Sequence, residues 1–292
     1  MAIPLRPLAG GIARALAFLL LIFLLQAAIV SVLAAPLRWL DAATHDARIT
    51  NGSILLLSAL VATTIMLRSI DVRPWGDVGL ARHAARPRPV AEGFVLGGAT
   101  IGAACAALLA FGWLRIVPSA PGSSLAAAVN ISAFLLPAAL AEELVCRGYL
   151  LTAIRDGVGA WIAAAVTSLL FGVAHLFNAG VTVESFINVT LAGVFLAAVR
   201  VAFDSLYAAW AAHAAWNWIM AVPFHAAVSG ISFDAPDYRT VSSGPAWATG
   251  GAWGPEGGVA AAVGMLAGLF YLYRSRRRRE ELYRARRRRA EA

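Results

Sequence analysis

The chain has 292 residues, of which 60% are apolar and only 14% are charged. Soluble domains carry about 25% charged and about 45–50% apolar residues. The composition therefore excludes a disordered chain, a coiled coil and a nucleic-acid-binding domain built on a charged surface, and it predicts a polytopic helical membrane protein. Cys105 and Cys146 are the only cysteines and both lie in apolar stretches, so neither a disulfide framework nor a thiolate zinc site is expected.

The apolar stretches predict an all-α transmembrane bundle of about eight spans. The first charge-free run is longer than the apolar region of a cleaved signal peptide, which has about 7–15 residues, so we interpret it as a span. Each run can hold a helix of about 17–25 residues, although 185–199 needs flanking residues and seven spans is the alternative. The runs are 15–37, 49–67, 93–114, 116–141, 157–183, 185–199, 205–233 and 257–273.

Arginine, which supplies all 24 basic residues, predicts the orientation. Cytoplasmic segments of membrane proteins carry the excess of positive charge. Placing both termini in the cytoplasm leaves only four arginines outside, and these are Arg38, Arg48, Arg115 and Arg239.

This topology divides the chain into five segments. They are two spans with a basic cytoplasmic loop (1–91), a core (92–224), an extracytoplasmic loop with Trp247 and Trp253 at the interface (225–255), a last span (256–273) and an Arg-rich cytoplasmic tail (274–292). Arginines beside a span attract anionic lipid, by about 1 kcal/mol each. We expect anionic lipid rather than nucleic acid to be the partner of this tail.

Polar and ionisable residues cluster in three of the predicted spans. Such residues are costly inside a bilayer and often mark a functional site. The fourth span carries Glu142, Glu143 and Arg147, the fifth carries His175, and the seventh carries His213 and Asn217.

Helical spacing sorts these residues into faces. Glu143 and Arg147 are four residues apart and can pair, whereas Glu142 points about 100° away and has no neutralising partner in its own helix. A carboxylate that faces imidazoles in a dry cavity can activate water, and an amide can donate to an oxyanion. The Glu143–Arg147 pair can equally be structural.

The three motifs resemble those of the CPBP intramembrane proteases, the family of CAAX-processing Rce1-type and bacteriocin-immunity (Abi) proteins. Glu142–Arg147 matches EExxxR, Phe171–His175 matches FxxxH and His213–Asn217 matches HxxxN, in the family's order. The resemblance covers roughly residues 125–220, and the segment 75–80 is similar to a short amphipathic stretch that precedes the core in many members.

The resemblance implies an endopeptidase that cleaves a membrane-associated protein or peptide within or beside the bilayer. Glu142 would activate the water with the help of His175, and His213 and Asn217 would form the oxyanion site. Glu143, Arg147 and Phe171 would support that geometry. We favour a mechanism without a cofactor, and zinc held by Glu142, His175 and His213 is the alternative, since one Glu and two His suit that metal.

The site requires a long fourth helix. If this helix ended near residue 145, Glu142 and His175 would lie at opposite rims of the membrane. A helix over about 125–155 that turns at Asp156–Gly159 removes the conflict, and the cavity then opens to the cytoplasm.

Two other functions use the same polar residues. One is a transporter or proton pathway, although no internal repeat supports it. The other is a non-catalytic membrane scaffold.

The composition favours a multi-pass protein of a bacterial cytoplasmic membrane. It leaves the substrate and the oligomeric state open.

Overall fold

The structure, a computed structural model, describes residues 5–44 and 46–291. Residues 1–4 and 45 of the predicted segment 1–91 and the last residue of the predicted tail 274–292 therefore lie outside the described residues. The described helices are α1 (Leu5–Val32), α2 (Ala34–Thr44), α3 (Ala47–Ile65), α4 (Pro87–Ala110), α5 (Ser124–Glu143), α6 (Leu151–Val158), α7 (Ala160–Ala174), α8 (Val183–Phe203), α9 (Leu206–Ala221), α10 (Ala246–Thr249) and α11 (Val259–Glu291).

The fold is a polytopic helical bundle with one small addition that the all-α prediction did not include. Strands β1 (Leu114–Pro118) and β2 (Tyr238–Ser242) pair antiparallel, with Ile116 opposite Thr240. The helical part confirms the predicted fold class, and the sheet joins the end of α4 to the chain that follows α9.

Six of the described helical segments are long and apolar enough to cross a membrane. They are Leu8–Val32, Ala47–Asp71, Pro87–Ala110, Ser124–Val158, Ala160–Phe177 and Val183–Phe203. Helix α9 has only 16 residues, and α11 starts apolar but becomes Arg-rich after Tyr273. The protein is thus an integral multi-pass membrane protein, and the eight spans and the orientation remain predictions.

The fourth span is a single helical segment of 35 residues, Ser124–Val158. It comprises α5, a π-helical turn at Leu144–Leu150, and α6. It ends before Gly159, whose φ of +82° is a left-handed conformation that glycine adopts without strain. The predicted long helix is therefore confirmed, although it runs through Asp156 to Val158 and turns at Gly159 only. Glu142 lies about 24 Å from its C-terminal end at 1.5 Å per residue.

Helix α4 lies between α9 and α11 at very close range. A Cβ atom on Gly97 would lie 1.9 Å from the carbonyl oxygen of Ala212 in α9, and one on Gly264 would lie 2.7 Å from that of Thr100 in α4. Only glycine permits these approaches. Ala212 precedes His213, so this contact fixes the depth of the candidate site residue.

A network of ion pairs supports the C-terminal end of the long helix Ser124–Val158. Arg14 in α1 contacts Asp71 at 2.8 Å and Asp156 at 3.2 Å, and Arg73 contacts Asp156 at 2.8 Å. The Tyr149 hydroxyl donates to Asp71 at 2.7 Å. Helix α1 therefore holds the π-helical turn from outside the segment that carries the three sequence motifs.

The segment 222–258, which we call the cap, folds against the bundle. It contains β2, α10 and two short 3₁₀ turns. The prediction that Trp253 lies at the membrane interface is wrong, because its side chain is fully buried against Cys146, Phe171 and Val189. Trp247 is 55% exposed. The difference in exposure between Trp253 and Trp247 results from packing against residues far away in sequence, which the composition of the segment does not reveal.

Candidate active site

The buried ion pair of Glu143 and Arg147 forms the base of the site. Arg147 Nη1 donates to Glu143 Oε1 at 3.0 Å, and neither side chain is exposed. Arg147 Nη2 donates to the carbonyl oxygen of Gly193, and the guanidinium lies 4.3 Å from the ring centroid of Phe171. The pair predicted from the spacing is confirmed, and Arg147 also connects α8 and α7 to the long helix.

His213 lies between the two carboxylates. Its Nδ1 is 3.0 Å from Glu143 Oε1, and its Nε2 is 3.7 Å from Glu142 Oε2. The first distance is a hydrogen bond, in which Nδ1–H donates because an ionised carboxylate only accepts. The second is longer than a hydrogen bond. Glu143 therefore orients the imidazole, and Nε2 faces Glu142.

Glu142 differs from Glu143 in its surroundings. Its side chain is 31% exposed, whereas that of Glu143 has no exposure. Among the ion pairs of the described residues, Glu142 contacts His213 only. The expectation that Glu142 is the carboxylate without a neutralising arginine therefore agrees with the geometry.

A π-helical turn follows the two glutamates directly and contains Cys146 and Arg147. Such turns are rare and occur frequently at functional sites. Six of its seven residues are buried, so the turn is packed on nearly all sides. The periodicity of the sequence did not predict this turn. A π-helical segment of only seven residues is too short to produce an apolar repeat that differs from that of the α-helix.

Phe171 links His175 to His213. The Phe171 ring centroid is 4.5 Å from that of His175 and 5.9 Å from that of His213. His175 Nδ1 is 2.8 Å from the carbonyl oxygen of Phe171, so it carries the proton and leaves Nε2 as an acceptor in the neutral ring. The aromatic ring thus separates two histidines that line the same cavity.

The cavity brings His175, His213 and Asn217 together. It has about 20 Å³ of space for the centres of water molecules, which is room for about one water. Its wall combines apolar residues of α8 with polar side chains from the turn after α7, from α9 and from the cap. Glu142 is not part of this wall, and its carboxylate faces Nε2 of His213. The structure therefore places the carboxylate of Glu142 beside the cavity rather than inside it.

Sequence reasoning missed a third carboxylate of the site, Glu256, which lines this cavity. Glu256 is 7% exposed and accepts hydrogen bonds from Trp216 Nε1 at 2.7 Å and from the backbone and hydroxyl of Ser229 at 2.6 and 2.7 Å. Trp253, next to it in the cap, packs on His175 with ring centroids 6.5 Å apart. Glu256 lies in a Gly/Pro-rich stretch without periodicity, so no local signal identified it.

Within the described residues, no group of three or more His, Cys, Asp or Glu side chains is placed to hold a metal ion. The zinc alternative with Glu142, His175 and His213 therefore requires these side chains to move from the positions seen here.

Comparison with protein families gives one match. Residues 123–219, about one third of the chain, match the family described as type II CAAX prenyl endopeptidase Rce1-like. The matched segment contains all three motifs and confirms the resemblance to the CAAX protease family. The matched family is one of endopeptidases, so the match supports a peptidase at the level of that family.

No curated protein and no solved structure matches the chain. Glu256, Trp253 and Ser229 lie beyond the C-terminal limit of the family match.

Proposed function

We propose that the protein is an intramembrane endopeptidase that hydrolyses a peptide bond in or near the bilayer by means of water activated by Glu142. The observation that carries this proposal is the convergence of His175, His213 and Asn217 on one cavity of single-water size, with Glu142 beside it at 3.7 Å from His213 Nε2. The match to a protease family over these helices supports the same conclusion.

Each residue has a role in the proposed reaction. Glu142 accepts the proton of the water, which attacks the scissile carbonyl, and His175 assists it through its free Nε2. The tetrahedral intermediate then collapses with cleavage of the C–N bond, and Glu142 gives the proton to the leaving amine. The negative charge that develops on the carbonyl oxygen is stabilised by His213 Nε2–H and the Asn217 amide. Donation from Nε2 requires the doubly protonated ring of His213, whose charge Glu142 and Glu143 balance at 3.7 and 3.0 Å.

The substrate in this proposal is a membrane-associated protein or peptide. The cap closes the cavity near the C-terminal end of α9, so we place substrate entry on the cytoplasmic side of the site. We locate the protein in a bacterial cytoplasmic membrane with both termini inside.

A cleavage assay with and without a chelator tests the reaction and its independence of metal. The full chain in liposomes is incubated with fluorogenic membrane-proximal peptides, and products are identified by mass. We expect fragments to form at the same rate with the chelator. Loss of cleavage on chelation, with recovery on adding zinc, would show that the metal-free mechanism is wrong. Movement of intact peptide across the bilayer without fragments would favour the transporter.

We also propose an anionic phospholipid as a partner of the start of the Arg-rich tail. A groove of about 480 Å³ between α7, α8 and α11 has an apolar floor that includes Ala198 and Leu269, and Arg276 and Arg277 are at its end. Trp161 lines it as well and is 57% exposed. An acyl chain fits the floor and a phosphate fits the guanidinium groups.

Replacing both arginines, Arg276→Gln with Arg277→Gln, should remove most of the extra stabilisation that anionic lipid provides. The measurement is the shift in Tm of the detergent-solubilised protein on adding phosphatidylglycerol, compared with phosphatidylcholine. Arg239→Gln, an exposed change on β2, is the control and should behave like wild type. Equal shifts with both lipids in the wild type would contradict the proposed site.

A further inference from the structure

Glu256 is held in the cavity wall by three hydrogen bonds, although it lies in a loop. Three donors converge on its two oxygens: the backbone N–H and hydroxyl of Ser229 on Oε1, and the indole N–H of Trp216 on Oε2. The residue is almost fully buried in a stretch where Pro255 and Gly257 are also buried. An ionised carboxylate matches three converging donors, because it only accepts.

The two groups that Glu256 joins belong to different parts of the site. Trp216 is on α9, directly before Asn217 and three residues after His213. Ser229 is in the cap, and its carbonyl oxygen accepts from the side chain of Asn178, three residues after His175. Glu256 therefore connects the helix that carries the oxyanion donors with the region that carries the second histidine.

The cap is fixed to the bundle at further points. The amide of Asn188 in α8 donates to the carbonyl oxygen of Gly258, and Ala226 N–H donates to that of Met220. Within the cap itself, a Cβ atom on Gly254 would lie 2.1 Å from the carbonyl oxygen of Ala227, so the chain is also closely packed there. In this packing, Trp253 covers Cys146 and Phe171.

We propose that Glu256 is a positioning residue of the proposed hydrolytic site, which clamps the cap onto α9 and so holds the Asn217 amide and the cavity wall in place. This inference rests on the proposed function, and it adds a carboxylate from outside the family-matched segment to the site. Glu256 acts through Trp216 and Ser229 and takes no proton in the reaction.

The variant Glu256→Gln tests the clamp because a neutral amide cannot satisfy the same donors. Whichever way the amide is oriented, its NH₂ group faces at least one N–H or O–H donor. A displacement of catalytic groups by about 1 Å can cost about 10²-fold in rate. We expect kcat for the peptide panel to fall at least about tenfold with KM within about twofold of wild type.

A second readout does not depend on cleavage. Cys146 lies under Trp253, and in a Cys105→Ala background it is the only thiol of the chain. We expect Glu256→Gln to raise the rate of Cys146 labelling by N-ethylmaleimide about tenfold, because a loosened cap exposes this residue. Glu184→Gln, an exposed change at the start of α8, is the matched control and should leave both readouts unchanged.

The outcomes separate this inference from the proposed function. If wild type cleaves, and Glu256→Gln retains wild-type kcat and wild-type labelling, the clamp is overturned while the peptidase stands. If wild type cleaves no peptide but labelling rises in Glu256→Gln, the clamp stands and the peptidase proposal fails. Should Glu256→Gln not fold, Ser229→Ala, which removes one hydroxyl donor, is measured instead. A wild-type kcat and labelling rate in that variant would overturn the proposal.

Discussion

Replacing Glu142 by Gln should reduce kcat/KM for peptide cleavage by about 10³-fold. A positioned general base contributes about 10²–10⁴-fold, and the amide cannot accept the proton of the attacking water. Glu142 has no arginine partner and its side chain is partly exposed, so its substitution should leave the fold intact. The measurement is the rate of fragment formation in liposomes, with Tm recorded for each variant.

Glu184→Gln is the control for a change from carboxylate to amide in the same protein. It alters an exposed residue at the start of α8 and should cleave like wild type. A folded Glu142→Gln protein that cleaved at the wild-type rate would show that Glu142 is not the base. The non-catalytic scaffold predicts that wild type and Glu142→Gln both form no fragments.

Replacing Arg147 by Met should cause the largest loss of stability. The change leaves the carboxylate of Glu143 buried without its guanidinium partner. Breaking a buried ion pair on one side costs about 3–5 kcal/mol, because the remaining charge stays desolvated. The substitution also removes the contacts of Arg147 with the Gly193 carbonyl and the Phe171 ring. We expect a large fall in the Tm of the detergent-solubilised protein.

The double variant Glu143→Gln with Arg147→Met distinguishes charge from packing. Removing both charges should recover much of the lost Tm, because no unpaired ion remains. It should not recover cleavage, because His213 loses the carboxylate that orients it. Arg88→Gln breaks a pair with Glu92 at the same spacing, in which the arginine is exposed, and should change Tm little. Additive losses in the double variant would refute the ion-pair interpretation.

Much of the site could be predicted because its motifs are local. The spacing of four residues places Glu143 beside Arg147 on any helix, and the pair is present. The requirement that Glu142 and His175 meet predicted a long fourth helix, which the structure contains as Ser124–Val158. Apolar runs also indicated the helical class, although six helical segments of the described residues, rather than eight, meet the criteria of length and composition for a span.

Other features had no local signal. In the π-helical turn, Arg147 packs against α7 and α8, and widening one turn does not change the apolar pattern of the sequence. Glu256 and Trp253 lie in a stretch whose composition is that of an ordinary loop, and contacts over 27–78 residues of sequence bury them. Periodicity within a segment carries no information on such contacts.

The sequence by itself determined a helical membrane protein with protease motifs on three helices, because apolar length, charge and helical spacing act within a single segment. The tertiary structure alone decided that His213 lies between two glutamates, that the cap covers the cavity and that Glu256 joins the cap to α9. These features follow from close approach between helices, such as that of Gly97 to Ala212, and from buried donors and acceptors that require partners far away in sequence.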